Sequence, residues 1–259
     1  MKIDKKIIIF DFDGVIVDSV SSLYEIYIDF LNEFGIKGSK EEFNLLNGPK
    51  LSEIVHFLKE KYQIGRDEKE LLNLYLEKIS SVYKNIKLNN GAKEILELLK
   101  SKNIKTALAS SSKKEEIVEV LTRYKLNDFF EFIVTGDDVR EAKPSPEIYN
   151  AVKNKYPGND YYVIEDSENG LKAAINAGMK TILYTQNQNP FNLTPTYTIN
   201  SLLHIEGIIT EIELNCFTVA KADNISLKVI EHEPDINSFQ KKIIDELWDD
   251  ELKKRKLFN

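Results

Sequence analysis

The chain has 259 residues, enough for one full core plus an inserted subdomain or for two modest domains, and its 42% of hydrophobic and 30% of charged residues are typical of a globular protein. Its net charge of −7 argues against nucleic-acid and anionic-membrane partners, so a bound phosphate group would need a local basic site. The single cysteine, Cys216, excludes an internal disulfide, and with no recognisable signal peptide or membrane-spanning run we expect a cytoplasmic protein.

The first third of the chain predicts one strand followed by helices. Ile7–Phe10 is a short β-branched run that is typical of a buried parallel strand. From Ser19 onward apolar residues recur at three- and four-residue steps, and similar helical patterns cover Leu51–Lys61 and Glu68–Tyr83. Because no strand pattern interrupts Val20–Ile86, we predict an all-helical insertion there.

The next part of the chain predicts alternating helices and strands. In chain order these are helix Ala92–Ser101, strand Lys105–Ala109, helix Lys113–Tyr124, strand Phe132–Val134, helix Pro146–Lys155, strand Tyr161–Ile164, helix Asn169–Ala177 and strand Lys180–Tyr184. Such alternation predicts a parallel sheet with helices on both faces, that is, a Rossmann-like three-layer α/β/α core. Tyr197–Ile199 could add an edge strand.

A different pattern begins near residue 213. Cys216–Ala220 and Ile225–Ile230 are strand-like, a turn-like segment joins them, and a helical apolar stripe follows. Cys216 lies in an apolar run with no histidine nearby, so we expect a buried structural thiol. The segment predicts a ββα-like extension of unknown role, which could dock on the chain itself or on a partner, or begin a further domain.

The residues with chemical potential follow the predicted strands. They are Asp11 and Asp13 after the first strand, Ser110 after the second, Lys143 in the loop after the third, and Glu165 and Asp166 after the fourth. In an open parallel sheet, ligands bind beyond the carboxyl ends of the strands. We therefore expect these side chains to meet at one edge of the sheet.

Together these side chains could carry out phosphoryl transfer. Asp11 would attack phosphorus and form an aspartyl phosphate, while Asp13 would protonate the leaving oxygen and then activate water. A magnesium ion, held by Asp11, Asp166 and the backbone carbonyl of Asp13, would offset the repulsion between carboxylate and phosphate. Lys143 and Ser110 would bind phosphoryl oxygens.

Local signals support this interpretation, although each residue alone has an ordinary structural explanation as a turn, a cap or a surface charge. Ser112 and Glu115 fit a capping box, which predicts a helix that begins just after Ser110. The first aspartates could instead open a calcium loop. However, Ser22 occupies the twelfth position, where such a loop needs an acidic residue. The conjunction of motifs at successive strand ends favours a phosphoryl-transfer site.

Four motifs resemble those of the haloacid dehalogenase-like hydrolase superfamily. They are Asp11-Phe12-Asp13-Gly14-Val15, Ala107-Leu108-Ala109-Ser110-Ser111, Lys143-Pro144-Ser145-Pro146 and Ile164-Glu165-Asp166-Ser167. With the helical insertion, the chain is similar to the subgroup that holds phosphoglycolate phosphatase and β-phosphoglucomutase. The resemblance covers about residues 6–184 and implies a magnesium enzyme with a mobile helical cap. It also implies that Ser110, Ser111 and Lys143 bind the phosphate, and that Glu165 assists metal binding beside Asp11, Asp13 and Asp166.

The resemblance leaves other activities open. β-Phosphoglucomutases carry a histidine in the early cap helix where this chain has Leu23, which weakens the mutase alternative. Asp13 argues against the dehalogenase branch, which lacks the second aspartate. Phosphonatases use a cap lysine, for which Lys50 and Lys59 are available. Lys50 is also the candidate for a cap contact with the substrate, against the ordinary interpretation of a solvated loop lysine. A non-catalytic binding protein on this fold would have no need of the whole motif set.

The predicted organisation is a catalytic core over residues 1–17 and 87–212, a helical cap over 18–86 and the extension over 213–259. The predicted activity is magnesium-dependent hydrolysis of a small phosphorylated metabolite, of the sugar or polyol phosphate class, through an aspartyl phosphate.

Overall fold

A computed structural model describes residues 6–185 and 191–212 of the chain. Its helices are α1 (Val20–Asn32), α2 (Lys40–Leu45), α3 (Leu51–Tyr62), α4 (Glu68–Asn85), α5 (Ala92–Ser101), α6 (Lys114–Arg123), α7 (Glu147–Lys155) and α8 (Glu168–Asn176), and residues 205–212 are also helical. Its strands are β1 (Lys6–Phe10), β2 (Lys105–Ala109), β3 (Phe132–Val134), β4 (Asp160–Glu165), β5 (Lys180–Tyr184) and β6 (Tyr197–Ile199). Residues up to Glu211 belong to one compact unit, and a second unit begins at Ile212. Within the described ranges no helix is long and apolar enough to cross a membrane.

The strands form a parallel sheet in the order β3-β2-β1-β4-β5-β6. β1 runs through the middle, and its last residue Phe10 is level with Leu108 of β2 and Ile164 of β4. The strand order reverses beside β1, so the carboxyl ends of β1, β2 and β4 border one crevice, where a doubly wound sheet binds its ligands. Asp11 leaves β1 at this crevice.

β1 is buried on both faces, as its uninterrupted apolar sequence predicts. Ile7 and Ile9 pack with Tyr149 of α7 and Ala173 of α8 in one hydrophobic cluster. Successive side chains of a strand point to opposite faces, so Ile8 points to the other side of the sheet. Burial on both sides fixes the strand from which the site residues project.

Helices α1–α4 pack around a hydrophobic cluster of their own. In its centre the ring of Phe30 from α1 stacks on Tyr75 of α4 with 4.5 Å between centroids. The chain enters and leaves this helical segment side by side, since the Asp18 N–H donates to the Lys87 carbonyl over 2.9 Å. The predicted division into a core over 1–17 and 87–212 and a cap over 18–86 stays a prediction.

The structure confirms the predicted fold class, a parallel sheet in an α/β architecture. The sequence pattern does not predict α2, because this helix has six residues, of which only Glu42 and Phe43 are buried. The predicted ββα-like extension over 213–259, with Cys216, lies outside the described residues.

Candidate active site

A buried ion cluster lies at the carboxyl end of β1. Lys143 Nζ lies 2.6 Å from Asp11 Oδ1 and 2.6 Å from Glu165 Oε1, and it also donates to the Ala109 carbonyl over 3.1 Å. The side chain of Glu165, which is fully buried, accepts a further bond from the Tyr149 hydroxyl. All three ammonium protons of Lys143 are therefore used, which fixes its charge beside Asp11.

Asp166 follows β4 and reaches the space beside Gly14. A Cβ at Gly14 would lie 2.0 Å from Asp166 Oδ2, and the φ of Gly14 is +73°, so glycine alone fits there. Asp166 Oδ1 is buried and has no hydrogen-bond partner among the described residues. Because buried polar atoms are nearly always paired, an orphaned carboxylate oxygen is the kind of atom that a bound cation would satisfy.

Three carboxylates converge on this point. Asp11, Glu165 and Asp166 each offer an oxygen, and these oxygens lie within 4.8 Å of one another. Carboxylate and phosphate oxygens are the hard ligands that Mg²⁺ prefers, so the donor set and the orphaned oxygen fit such an ion. Of the predicted ligands, Asp13 adds no carboxylate to this group, which leaves its backbone carbonyl as the available atom.

The carboxylate of Asp13 is held by two hydroxyl groups. Tyr83 Oη of α4 donates to Asp13 Oδ1 over 2.8 Å, and Ser112 Oγ donates to Asp13 Oδ2. Tyr83 is 3% exposed, and its ring stacks on Phe12. The sequence does not single out Tyr83, because it lies 70 residues from Asp13 in an ordinary helical pattern. Ser112 could have been proposed as a site residue from the sequence, because it lies two residues after Ser110.

Ser110 lies at the end of β2 and is 1% exposed. Its hydroxyl accepts a hydrogen bond from the Ser112 N–H over 3.1 Å. The predicted capping box of Ser112 and Glu115 is wrong, because α6 begins at Lys114 and its N-cap residue is Lys113. The Lys114 N–H donates instead to Asp137 Oδ2 over 3.1 Å.

Ser111 and Lys50 connect the loop between α2 and α3 to the sheet edge. Ser111 Oγ donates to the Gly48 carbonyl, and Lys50 Nζ donates to the Val139 carbonyl. Both side chains line the cavity described below, but their polar tips are engaged with backbone oxygens. The predicted roles of Ser111 in phosphate binding and of Lys50 in substrate contact stay predictions.

A cavity of about 470 Å³ lies between the sheet edge and helices α1–α4. Of the predicted site residues, those that line it are Asp11, Asp13, Lys50, Ser110, Ser111 and Lys143. Glu165 and Asp166 are not lining residues but lie beside Asp11 in the carboxylate group. The structure therefore brings the predicted set together around one site.

The electrostatics of the site are dominated by negative charge. Loss of water raises the pKa of Asp11, and the charge of Glu165 adds to the effect, while Lys143 acts in the opposite direction. Burial also raises the pKa of Asp166, with Glu165 and Asp11 adding to it. On the cavity wall, burial raises the pKa of Glu116 to about 7. The ammonium group of Lys143 alone does not balance the buried carboxylates of Asp11, Glu165 and Asp166, and a dication would.

The sequence profile described as haloacid dehalogenase-like hydrolase matches residues 8–184, the span from β1 to β5 that carries all of these side chains. The chain belongs to the haloacid dehalogenase-like hydrolase family. The resemblance predicted from the four motifs is thereby confirmed.

Individual relatives agree with this membership. A phosphorylated carbohydrates phosphatase from Thermotoga maritima is 34% identical over 179 residues, which cover 68% of this chain and 82% of that protein. A structure from the same organism, named as a candidate β-phosphoglucomutase, is 28% identical to this chain and superposes with a TM-score of 0.61. The match covers 80% of this chain and 99% of that protein. A hydrolase from Pseudomonas syringae shares the fold at a TM-score of 0.69, with 23% identity and coverage of 80% and 99%. The predicted enzyme class, a phosphoric monoester hydrolase, is confirmed.

Proposed function

We propose that this hydrolase cleaves a small phosphate monoester with Mg²⁺ through an aspartyl phosphate on Asp11. The observation that carries the proposal is the placement of Asp11 on the cavity surface, bonded to Lys143 and adjacent to the carboxylate of Asp166, which has an orphaned oxygen. A nucleophilic carboxylate needs a neighbouring positive charge before an anionic phosphate can approach it. Lys143 supplies one such charge in this structure.

Two carboxyl groups would divide the chemistry. Asp11 attacks phosphorus, so a bond from its oxygen to phosphorus forms as the bond to the leaving oxygen breaks. Asp13 gives its proton to that oxygen and later takes one from the water that releases phosphate from Asp11. Hydrogen bonds from Tyr83 and Ser112 to its two oxygens support this role, because they fix the direction of its carboxyl.

The phosphate-binding part would consist of Ser110, Ser111 and Lys143. Lys143 contributes mainly through charge, since its protons already bond Asp11, Glu165 and a carbonyl. When bound, Mg²⁺ supplies a charge that offsets the repulsion between phosphate and carboxylates. Asp11, Asp166, Glu165 and the backbone carbonyl of Asp13 would hold it.

The sugar or polyol phosphate class predicted from the sequence agrees with the name of the Thermotoga phosphatase. The mutase alternative has less support. Leu23 lines the cavity, and none of the described lining residues is a histidine. A cytoplasmic location and the lack of nucleic-acid or membrane partners stay predictions from composition.

A phosphate-release screen over small phosphoesters, with Mg²⁺ or with a chelator, tests the proposal. Asp11→Asn keeps the shape of the side chain but removes the nucleophile, so we expect release to fall at least about 1,000-fold. Asp29→Asn is the matched control, because Asp29 is exposed on α1 away from the cavity. Undiminished release by Asp11→Asn would contradict the mechanism. No release by the native protein from any ester would favour a binding protein on this fold.

A further inference from the structure

The cavity wall formed by the helical segment is apolar. Nine side chains of this segment that carry no polar atom line it, namely Leu23, Phe43, Leu46, Pro49, Leu51, Ile54, Leu72, Leu76 and Ile79. They belong to the helical segment, whereas Asp11 follows β1 of the sheet, so an ester with its phosphate at Asp11 would place its organic group in this shared cavity. Burial of apolar substrate surface against such a wall is favourable.

Few polar groups of the same wall are available to a substrate. Lys50 Nζ is bonded to the Val139 and Arg140 carbonyls, and Tyr83 Oη to Asp13. The remaining polar side chains on this wall are Asn47, Ser52 and Tyr75. A polyol carries a hydroxyl on nearly every carbon, and each hydroxyl that is buried without a partner loses its bonds to water. The wall therefore does not match a polyol.

The charges around the cavity also restrict the substrate. Four carboxylates line it, those of Asp11, Asp13, Glu116 and Asp137. Three lysines line it as well: Lys143, which is paired with Asp11 and Glu165, Lys50, which donates to two neutral carbonyls and keeps its charge, and Lys113, so the lining carboxylates outnumber the lining lysines four to three among the described residues. Because like charges repel in a partly desolvated space, a second anionic group on the substrate would be disfavoured.

From this lining we infer that the preferred substrate is a phosphate monoester whose organic group is uncharged and mainly apolar. The inference rests on the proposed function and departs from the sugar or polyol class that the sequence predicts. It also disfavours the bisphosphate that a mutase would need.

Three phosphate esters of six-carbon primary alcohols test how the polarity and charge of the organic group affect hydrolysis. They are hexyl phosphate, sorbitol 6-phosphate and the phosphate ester of 6-hydroxyhexanoate. We expect kcat/KM for hexyl phosphate to exceed that of each of the others by about tenfold or more. Equal or higher kcat/KM for the polyol or the carboxylate would overturn the inference. So would hydrolysis of 4-nitrophenyl phosphate with no hydrolysis of hexyl phosphate. Release from none of the four esters would instead refute the proposed function, and the inference with it.

Two variants of α4 test whether the wall causes the preference. Leu72 lines the cavity, whereas Leu74 packs on the same helical core without lining it. We expect L72Q to lower the ratio of kcat/KM for hexyl phosphate over sorbitol 6-phosphate several-fold, and L74Q to leave this ratio unchanged. If L72Q does not fold, L76Q replaces it as the cavity variant, since Leu76 also lines the cavity. An unchanged ratio in the folded cavity variant, or an equal change in L74Q, would overturn the inference.

Discussion

Gly14 and Asp166 show how a single backbone position controls the proposed metal site. The Asp166 carboxylate occupies the space that a side chain at Gly14 would need. We expect Gly14→Ala to abolish Mg²⁺-dependent phosphate release. We also expect it to lower the free energy of unfolding by more than the roughly 1–2 kcal/mol of a left-handed conformation. Phosphate release during a Mg²⁺ titration and thermal unfolding measure the two effects.

Gly178→Ala is the matched control for this substitution. Gly178 has a similar φ of +69°, but nothing lies within 4 Å of an added Cβ. Gly178→Ala should therefore lose only the free energy of unfolding that a left-handed backbone conformation costs, and it should keep full activity. Native activity of Gly14→Ala, with no more loss of stability than Gly178→Ala, would contradict this view of the site.

Tyr83 is one of the two residues whose hydroxyl groups position Asp13. Tyr83→Phe removes the hydrogen bond but keeps the ring that stacks on Phe12. We expect kcat/KM for alkyl phosphates to fall about 10- to 100-fold, because their leaving oxygen needs the proton from Asp13. The fall for 4-nitrophenyl phosphate should be much smaller, because nitrophenolate leaves without a proton. Steady-state kinetics with both esters measures this difference.

The control for Tyr83→Phe is Tyr124→Phe. The Tyr124 hydroxyl donates to the Ile86 carbonyl near the end of α4, so its loss removes a structural bond without touching Asp13. We expect both esters to respond equally in this control. An equal loss for both esters in Tyr83→Phe would mean that Tyr83 serves only the structure.

At the scale of elements, the loop between α2 and α3 is attached to the sheet edge by α8. Asn169 Nδ2 of α8 donates to the Leu45 carbonyl over 3.1 Å and to the Asn47 carbonyl over 2.8 Å. Asn169→Ala should therefore raise KM several-fold, since each lost hydrogen bond weakens the attachment of this loop to α8 by about 1 kcal/mol. Amide hydrogen exchange over residues 45–50 should become faster.

Asn176→Ala provides the comparison for Asn169→Ala. Asn176 is also in α8, but it donates to the Pro144 carbonyl and not to the loop between α2 and α3. We expect no change of KM or of exchange over residues 45–50 in this variant. Unchanged exchange and KM in Asn169→Ala would show that the loop is held by other contacts.

Local sequence patterns predict the strands, whereas contacts between distant parts of the chain decide features that the sequence does not predict. β2, β3 and β5 have the predicted bounds, because short apolar runs between helical patterns specify buried strands. Asp11 and Asp166 could be predicted as neighbours, because parallel strands bring their carboxyl ends to one edge. Tyr83 could not, since its bond to Asp13 depends on how α4 packs. The capping box of Ser112 fails for a local reason, because α6 starts one residue later than that box requires, with Lys113 as its N-cap.

At the scale of the whole molecule, the excess of buried negative charge couples stability to pH and Mg²⁺. Asp11 and Asp166 have raised pKa values in the folded protein, so the folded state binds more protons than the unfolded chain. Without metal, their contribution to the free energy of unfolding is greatest below about pH 4 and falls as pH rises toward their folded pKa values. Protons and Mg²⁺ compete for the same oxygens.

We therefore expect Mg²⁺ to raise Tm more at pH 8 than at pH 5. At an Mg²⁺ concentration of 100 times Kd, the gain is about 2.7 kcal/mol, which corresponds to roughly 5–10 °C for a chain of this size. Thermal unfolding with Mg²⁺ and with a chelator at both pH values measures it. Asp166→Asn should remove most of the gain. An equal shift of Tm at both pH values would contradict a carboxylate site with raised pKa values.

The covalent intermediate on Asp11 is the central claim, and mass spectrometry after an acid quench tests it most directly. Asp13→Asn should slow the breakdown of the intermediate, while 4-nitrophenyl phosphate allows its formation without a proton donor. After mixing this variant with Mg²⁺ and the ester, we predict a burst of nitrophenol and one phosphoryl group on the peptide that contains Asp11. A burst of nitrophenol with that peptide unmodified would contradict the mechanism.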